Sequence, residues 1–336
     1  MGISRIERVL VGYSPCYRCG TGVPQAAVGG FSGAEVFRIE APAGAFALRA
    51  WPAGGMGVER IRGLHRLLAH VVAEGVTQVA APVGASDGRT LIDVDGTLWQ
   101  LEPWMPGVAD YCDEPSEVRL REAMTVLARW HLAAARFEPS ESEGRWFRTF
   151  EAERSPAVRE RLTLLRQWRA KVPHLKDRLR VLPRDDFTDL ADGLLAQFER
   201  LAGRITAELG TAAPMRYRLQ PCLRDVWHDH LLFTGEQLTG LIDPAACRAE
   251  NPAADLARLL GSLVQDDMQG WDVALAAYQT IRSLTIDELG LIAILDRSGV
   301  LLSGLTWLGR RCFDGQQLEG RVLERLQGFL ARLQRM

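Results

Sequence analysis

The 336-residue sequence lacks an excess of charge of either sign. It contains 40 lysines and arginines against 42 aspartates and glutamates, which gives a formal net charge of −2 at pH 7. A protein that attracts DNA, RNA or an anionic membrane through its overall field needs a strong basic surplus. We therefore expect no nucleic-acid partner.

Long apolar runs are also missing. No stretch reaches the roughly 18 consecutive apolar residues that would indicate a membrane-spanning helix. The first residues, MGISRIERVLVGYSP, contain only a short, interrupted apolar run and no small-residue cleavage site. We expect neither a membrane span nor a secretory signal. The expected location is the cytoplasm.

Closely spaced cysteines are rare. Of six cysteines, only Cys16 and Cys19 lie near each other, in CYRCG. A single CxxC pair without a second pair or trailing histidines is weak support for a zinc or redox site. We expect reduced thiols in a loop before the first strand.

The apolar residues that are present follow two different periodicities. Residues 26–52 alternate apolar and polar side chains in two runs joined by APAG, which predicts a β-hairpin. Residues 57–76 repeat apolar positions every three or four residues, which predicts a helix ending near Gly75. Further strands are predicted at about 77–84, 89–95 and 97–102.

From residue 117 onward the spacing of apolar residues is almost entirely helical, with one short strand pair at 230–243. The helices predicted here include 118–137, 157–172 and 189–209. A chain of this length exceeds the roughly 250–300 residues at which a single core stops growing, so we expect two domains. The PWMPG segment between them reads as a linker.

A cluster of polar residues interrupts the second half, in LRDVWHDHLLF and the following GLIDPAACRAENPAADLARLL. The predicted strand pair would bring Asp225, His230 and Asp243 to one end of a hairpin. Because buried charge is costly without a partner, such a group indicates acid–base catalysis or metal binding. A structural polar network is the alternative that the residues leave open.

These residues resemble the aminoglycoside phosphotransferase and choline kinase-like family. The family signature is HxDxxxxN, then an Ile-Asp at a strand end and an Asp-Leu-Ala, and its spacing matches Asp225, His230, Asp243 and Asp255. The resemblance extends to VGGFSGAEVFRIE, FALRAWP, the hinge-like LWQLEPWMPG and the helix LARWHLAAARF. It covers nearly the whole chain.

The resemblance implies an α+β, bilobal, protein-kinase-like fold. Residues 1–105 would form a small antiparallel β lobe with one helix, which binds nucleotide. Residues 106–336 would form a larger, mainly α-helical lobe for catalysis and acceptor binding. In this family, helices inserted at about 140–215 would select the acceptor.

The resemblance also implies which residues react. Asp225 would accept or orient the proton of the acceptor hydroxyl, and Asp243 would hold Mg²⁺ on the phosphates of ATP or GTP. His230 stands where the family has a metal-binding asparagine. Imidazole suits Mg²⁺ poorly, so either this metal site is weak, or Mn²⁺ is used, or Asp229 supplies a carboxylate.

The remaining implied roles concern the nucleotide. Arg49 replaces the phosphate-binding lysine of the third strand, and Glu59 is a candidate for its ion-pair partner. Glu102 and Trp104, in the hinge segment up to Met105, would bind the base through backbone groups. The backbone near the phosphates would come from Gly29, Gly30, Ser32 and Gly33. Asp255 is expected to brace the loop around Asp243.

Three functions stay open. The first is a small-molecule kinase that phosphorylates a hydroxyl. The second is a degenerate, nucleotide-binding scaffold or regulator, because the family pattern is broken at Leu223, His230 and Pro244. The third is a metal-dependent hydrolase that uses His228 and His230 with an aspartate.

The acceptor is constrained by charge. Residues 145–184 contain ten arginines and two lysines against four acidic residues. This surplus is either a solvated helix face or a basic cap over an anionic ligand. Because an aminoglycoside is polycationic, we expect a neutral or anionic acceptor instead.

Overall fold

A computed structural model describes residues 4–18, 25–26, 34–52, 54–318 and 320–336. The expected phosphate-loop residues Gly29, Gly30, Ser32 and Gly33, and Cys19 of the CxxC pair, lie outside these ranges. The chain divides into two compact units. Unit 1 comprises residues 1–149, 228–249 and 273–282, and unit 2 comprises residues 150–227, 250–272 and 283–336.

Unit 1 contains a five-stranded antiparallel sheet in the order β1-β2-β3-β5-β4. The β4–β5 turn has positive φ at both Asp95 and Gly96, as a tight hairpin requires, so the DG signal of the sequence is confirmed. The strands are β1 (Gln25–Ala26), β2 (Glu35–Ala41), β3 (Gly44–Ala50), β4 (Ile92–Val94) and β5 (Thr97–Pro103).

The strand expected at about 77–84 is not formed. Val79 makes a single bridge to Leu241, and the Val83 amide donates a 2.7 Å bond to the Leu101 carbonyl. Pro82 cannot donate to a strand ladder, which explains why this apolar stretch stays irregular.

Four helices and a second hairpin complete unit 1. Its core packs Leu48, Trp99 and Leu101 of the sheet against Val9 and Tyr13 near the first helix. Residues 230–243 form the expected strand pair. These elements are α1 (Arg5–Leu10), α2 (Val58–Ala73), α3 (Glu117–Ala135), α4 (Gly144–Phe147), β8 (Leu231–Thr234) and β9 (Gln237–Leu241).

Unit 2 is mainly helical, with one antiparallel pair of strands, β6 and β7. Helix α9 packs against α5, α6, α7 and α10. The strands are β6 (Phe150–Glu153) and β7 (Tyr217–Cys222), and β10 (Arg248–Glu250) lies at the boundary with unit 1. The helices are α5 (Pro156–Arg180), α6 (Asp186–Ala212), α7 (Ala253–Leu263), α9 (Ile286–Cys312) and α10 (Arg321–Arg335), while α8 (Met268–Gln279) spans the boundary.

Helix α5 is longer than the sequence predicts. The expected end at residue 172 precedes Pro173, which lacks an N–H group and normally interrupts a helix. The helix nevertheless continues to Arg180, and Val172, Leu175 and Leu179 are buried on both sides of the proline. Packing of this apolar face therefore outweighs the loss of one backbone bond.

Helix α9 is the one helix within the described ranges that is long and apolar enough to cross a membrane. The search for consecutive apolar residues did not identify it. Half of its most apolar 18-residue window is buried inside the protein, where it packs against four other helices of unit 2. Length and composition of this kind also occur in the core helices of water-soluble domains.

Candidate active site

Arg49 lies between two carboxylates of unit 1. Its strand β3 pairs with β5 so that Arg49 faces Gln100 and Ala47 faces Glu102, which makes Arg49 and Glu102 diagonal neighbours on one face. Nη2 of Arg49 is 3.7 Å from Oε1 of Glu102, and Nη1 is 3.8 Å from Oδ1 of Asp243. The Arg49 and Glu102 side chains are only 14% and 13% exposed.

A buried hydrogen-bond network orients Glu102. Nε2 of Gln100 donates a 2.6 Å bond to Oε2 of Glu102. Oε1 of Gln100 accepts from Nε1 of Trp51 at 2.7 Å and lies 2.8 Å from Nε2 of His65. Nδ1 of His65 is 2.7 Å from Oγ1 of Thr90, so a His65 protonated on Nε2 accepts from the hydroxyl.

Burial changes the acidity of two groups in this network. Desolvation is the main cause that raises the pKa of Glu102, and Asp243 adds to it, while Arg49 and Gln100 act in the opposite direction. Burial also lowers the pKa of His65 to about 4, so its ring is neutral at physiological pH. The positive charge beside Glu102 therefore comes from Arg49 and not from the histidine.

Asp243 follows strand β9 in a left-handed conformation, with φ 57° and ψ 57°. Non-glycine residues rarely adopt this conformation, which costs on the order of 1 kcal/mol or more of folding free energy. Such strained residues are concentrated at functional sites. Its Oδ1 is buried and has no hydrogen-bond partner within the described ranges. A buried, unsatisfied carboxylate oxygen is the kind of ligand that Mg²⁺ and Mn²⁺ select, so this residue fits a divalent cation.

Helix α2 fixes the loop after Asp243. Nη2 of Arg60 is 3.4 Å from the carbonyl oxygens of both Ala245 and Cys247. Burial is the main cause that lowers the pKa of Arg60, and Arg248 adds to it. No sequence pattern points to Arg60, because only the tertiary structure brings residue 60 to residues 245–247.

Glu59, the expected partner of Arg49, has a different contact. Its exposed carboxylate lies 3.1 Å from Nη2 of Arg145. Glu102 occupies the place beside Arg49 instead, so the assignment of Glu59 was wrong. The alternation of β5 would have placed Gln100 and Glu102 on one face, but the sequence does not give the register between β3 and β5.

The segment expected to bind a base is anchored by backbone bonds. The Trp104 amide donates to the Ala45 carbonyl at 3.0 Å, and the Arg38 guanidinium lies 5.1 Å from the centre of the Trp104 ring. Beyond it, the Pro106 carbonyl accepts a 2.8 Å bond from Oγ1 of Thr239. The backbone role of Glu102 and Trp104 in base binding stays a prediction.

His230 and Asp243 lie at the same end of the β8–β9 hairpin, as expected. The Ile242 amide donates a 3.0 Å bond to the His230 carbonyl. Nε2 of His228 is 3.3 Å from Oδ1 of Asp229. Across the ranges that the structure describes, no group of three close metal ligands includes His228 or His230.

Asp225, in unit 2, lies on a loop whose backbone is hydrogen-bonded to Asp255. Oδ2 of Asp255 accepts from the Leu223 amide at 2.7 Å, and Oδ1 accepts from the Arg224 amide at 2.6 Å. Asp255 is fully buried. Both carboxylate oxygens thus brace the loop that leads to Asp225, and not the loop around Asp243 that was expected from the sequence.

Arg224 fixes the same loop through a buried ion pair. Its φ is 69°, and its Nη1 donates a 2.6 Å bond to Oε2 of Glu250, while Nη2 binds Glu160. Glu250 is fully buried and also accepts bonds from the Ser155 hydroxyl and the amides of residues 157 and 251. No sequence motif points to this glutamate, because its side-chain partners are distant along the chain.

The Asp225 side chain itself remains accessible. It is 53% exposed, and its Oδ1 accepts a 3.0 Å hydrogen bond from Nη2 of Arg258 on α7. A carboxylate on a rigid loop with one side open to solvent can receive a proton from a bound hydroxyl.

Comparisons with known proteins identify the family and the fold. The phosphotransferase enzyme family matches residues 25–290, whereas a search of curated proteins found no match. An aminoglycoside phosphotransferase from Alicyclobacillus acidocaldarius superposes with a TM-score of 0.63 at 18% identity, covering 98% of this chain and 95% of that one.

Two further solved structures share the fold. Amicoumacin kinase, in complex with AMP-PNP and Ca²⁺, has a TM-score of 0.64 at 14% identity over 98% of this chain and 93% of its own. A microcompartment-associated aminopropanol kinase has a TM-score of 0.61 at 15% identity over 98% and 95%. The α+β kinase-like fold is thus confirmed, and the family match over most of the chain identifies this protein as a member of the phosphotransferase enzyme family.

Proposed function

We propose that this protein is a small-molecule kinase that transfers the γ-phosphoryl group of ATP or GTP to a hydroxyl of a non-aminoglycoside acceptor. The observation that carries the proposal is the approach of Arg49 to Asp243 across unit 1. Phosphoryl transfer requires positioned charge of both signs, a cation for phosphate oxygens and carboxylates for the metal and the proton.

The nucleotide would be held by Arg49 and the hinge segment. Arg49 supplies a guanidinium, whose planar fork suits two phosphate oxygens. Glu102 and its network keep that fork in place. Glu102 and Trp104 would offer backbone groups to the base, and Gly29, Gly30, Ser32 and Gly33 would approach the phosphates.

Asp243 would hold the divalent cation, Mg²⁺ or Mn²⁺, with His230 or Asp229 as a second ligand. The cation would neutralise charge on the phosphates when bound. The structure of a similar kinase with AMP-PNP and Ca²⁺ is consistent with a nucleotide and a divalent cation in this fold. The buried, unsatisfied Oδ1 of Asp243 supports this assignment.

Asp225 would accept the proton of the acceptor hydroxyl. Asp255 and Arg224 restrain its loop, so the carboxylate is positioned before the acceptor arrives. The fold neighbours include an aminopropanol kinase, so the fold accommodates acceptors other than antibiotics.

The two parts of the chain would divide the work. Residues 1–105 would serve as the nucleotide-binding lobe, and residues 106–336 would serve as the catalytic and acceptor lobe. The protein would act in the cytoplasm, without a nucleic-acid partner or a membrane span.

The proposal is tested by thermal unfolding with ATP or GTP, each with Mg²⁺ or Mn²⁺. A ligand at 100 times its Kd stabilises the folded state by about 2.7 kcal/mol, which is readily measured. The metal-dependent shift should be lost in Asp243→Ala and kept in Asp225→Ala, whereas phosphoryl transfer should be lost in both. Asp177→Ala is the matched control, because Asp177 is exposed and pairs only along its own helix with Arg180.

The other outcomes separate the alternatives. A nucleotide shift without transfer to any alcohol would favour the scaffold or regulator. Absence of any nucleotide shift, with tightly bound zinc that His230→Ala removes, would favour the hydrolase. Efficient phosphorylation of kanamycin would contradict the proposed acceptor class.

A further inference from the structure

Arg161 is the exception in the arginine-rich segment 145–184. The other nine arginines of this segment are exposed, so the basic surplus is mostly a solvated face. Nη1 of Arg161, by contrast, is buried and has no hydrogen-bond partner. The structure contains no ion pair of Arg161 with any residue in its described ranges.

The carboxylates near Arg161 are already engaged by another arginine. Glu160 and Glu250 both bind Arg224. Burial is the main cause that lowers the pKa of Arg161 to about 10, so it is still a cation at neutral pH. Repulsion from Arg224 and Arg258 adds to this effect, and the Glu250 and Glu160 carboxylates oppose it. A buried guanidinium N–H group without a hydrogen-bond partner costs free energy, and an anionic ligand would supply the missing acceptor.

Arg161 belongs to the same charged cluster as the proposed base. Arg258 acts electrostatically on Arg161 and also donates a 3.0 Å bond to Oδ1 of Asp225. Gly299 on α9 faces the guanidinium, because a Cβ built there would stand 3.4 Å from Nη2 of Arg161. A larger side chain at position 299 would reach into the space that the Arg161 guanidinium occupies.

We propose that Arg161 and Arg258 bind an anionic group of the acceptor, a carboxylate or a phosphate carried by the alcohol whose hydroxyl faces Asp225. This inference rests on the proposed kinase function, since it identifies the class of the acceptor. Guanidinium groups bind both anions through paired hydrogen bonds, and the unsatisfied Nη1 of Arg161 would gain its partner on binding.

The first test measures anion binding by the full chain without nucleotide. The probes are inorganic phosphate, glycerol 3-phosphate and D-glycerate, compared with glycerol, ethanolamine and sodium chloride at equal ionic strength. At least one of the three anions should raise the unfolding temperature above the chloride control. Phosphate probes alone would indicate a phosphorylated acceptor, and D-glycerate would indicate a carboxylated one.

Variants locate the anion. Arg161→Met should weaken the binding of that anion at least tenfold, and Arg258→Met should weaken it as well. Arg49→Met should weaken it less than Arg161→Met does, because Arg49 belongs to the proposed nucleotide site. Binding that is lost in Arg49→Met but kept in Arg161→Met would overturn the proposal, and so would a preference for ethanolamine or no shift above chloride.

The second test separates a ligand-binding arginine from a structural one. Without added anion, Arg161→Met should leave the urea midpoint unchanged or raise it, because it removes a guanidinium whose buried Nη1 has no hydrogen-bond partner. Arg224→Met should lower the midpoint, because it breaks two ion pairs. An equal loss in both variants would contradict the proposal. These measurements need no nucleotide, so a failure of the kinase function would appear separately, as absent ATP and GTP binding.

Discussion

Nη1 of Arg224 donates a 2.6 Å hydrogen bond to Oε2 of Glu250, a carboxylate with no solvent exposure. Arg224 immediately precedes Asp225 in sequence and has a positive φ of 69°. Removal of one partner of a buried ion pair leaves the other charge uncompensated, so this contact couples the stability of unit 2 to the position of the proposed base.

Glu250→Ala should reduce the free energy of unfolding by about 3–5 kcal/mol, the usual consequence of breaking a buried pair. Urea denaturation checks this. The matched control is Glu151→Ala, which removes the exposed partner of Arg218 at 3.6 Å and should change stability by less than about 1 kcal/mol. Equal effects of the two variants would contradict a special role for Glu250.

Arg49→Met should weaken ATP binding at least tenfold, about 1.4 kcal/mol, because it removes the cation beside Asp243. Arg49→Lys keeps the charge but loses the planar fork, so it should lie between the methionine variant and the wild type. Titration calorimetry with Mg²⁺ present measures both. Arg89→Met is the control, since Arg89 is exposed and pairs with Asp87; a comparable loss there would indicate a nonspecific effect of charge.

His65 should make unfolding dependent on pH. Its pKa is about 4 in the folded protein against the ordinary 6.5, so folding favours the neutral ring. The neutral ring contributes its full stabilisation of the folded state above pH 6.5. This contribution is lost as the pH falls towards 4, which lowers the free energy of unfolding by about 3 kcal/mol in total.

Urea denaturation of His65→Gln along the same pH series tests this expectation. The variant should lose less stability on acidification than the wild type, although it is less stable at neutral pH. His174→Gln should follow the wild type, because His174 is exposed. An unchanged slope in His65→Gln would show that other groups dominate the acid response.

Gly107→Ala should destabilise unit 1 by more than the same substitution at a glycine that has positive φ but no close neighbours. Gly107 has φ +101°, and a Cβ there would stand 2.7 Å from the Phe233 carbonyl oxygen and 2.6 Å from Oγ1 of Thr239. Gly96 has φ +74° and open space around it, so Gly96→Ala reports the backbone conformation by itself, roughly 1 kcal/mol. Thermal unfolding of the two variants should differ by at least about 1 kcal/mol; equal losses would contradict a steric role.

The sequence predicted the elements that depend on local pattern. Apolar periodicity predicted α2 and the β2–β3 hairpin, and the DG dipeptide predicted the β4–β5 turn. The predictions failed where distant packing decided the outcome. Helix α5 continues past Pro173 because its buried face packs on α6 and α9, and 77–84 forms no strand.

The candidate site divides in the same way. The spacing of Asp225, Asp243 and Asp255 was readable because it lies along one segment of chain. Glu102, Gln100 and Arg60 were not identified as members of the site's supporting network, because strand register and helix packing bring them to Arg49 and to the loop after Asp243.

The sequence by itself determined the family, the two carboxylates proposed for chemistry and the periodicity of most helices, since these depend on residue type and spacing along the chain. Only the tertiary structure decided that Glu102 pairs with Arg49, that Asp255 braces the loop before Asp225, and that Nη1 of Arg161 is buried without a hydrogen-bond partner. Ion pairing and burial depend on which distant side chains meet, and that information arises only when strands take their register and helices pack.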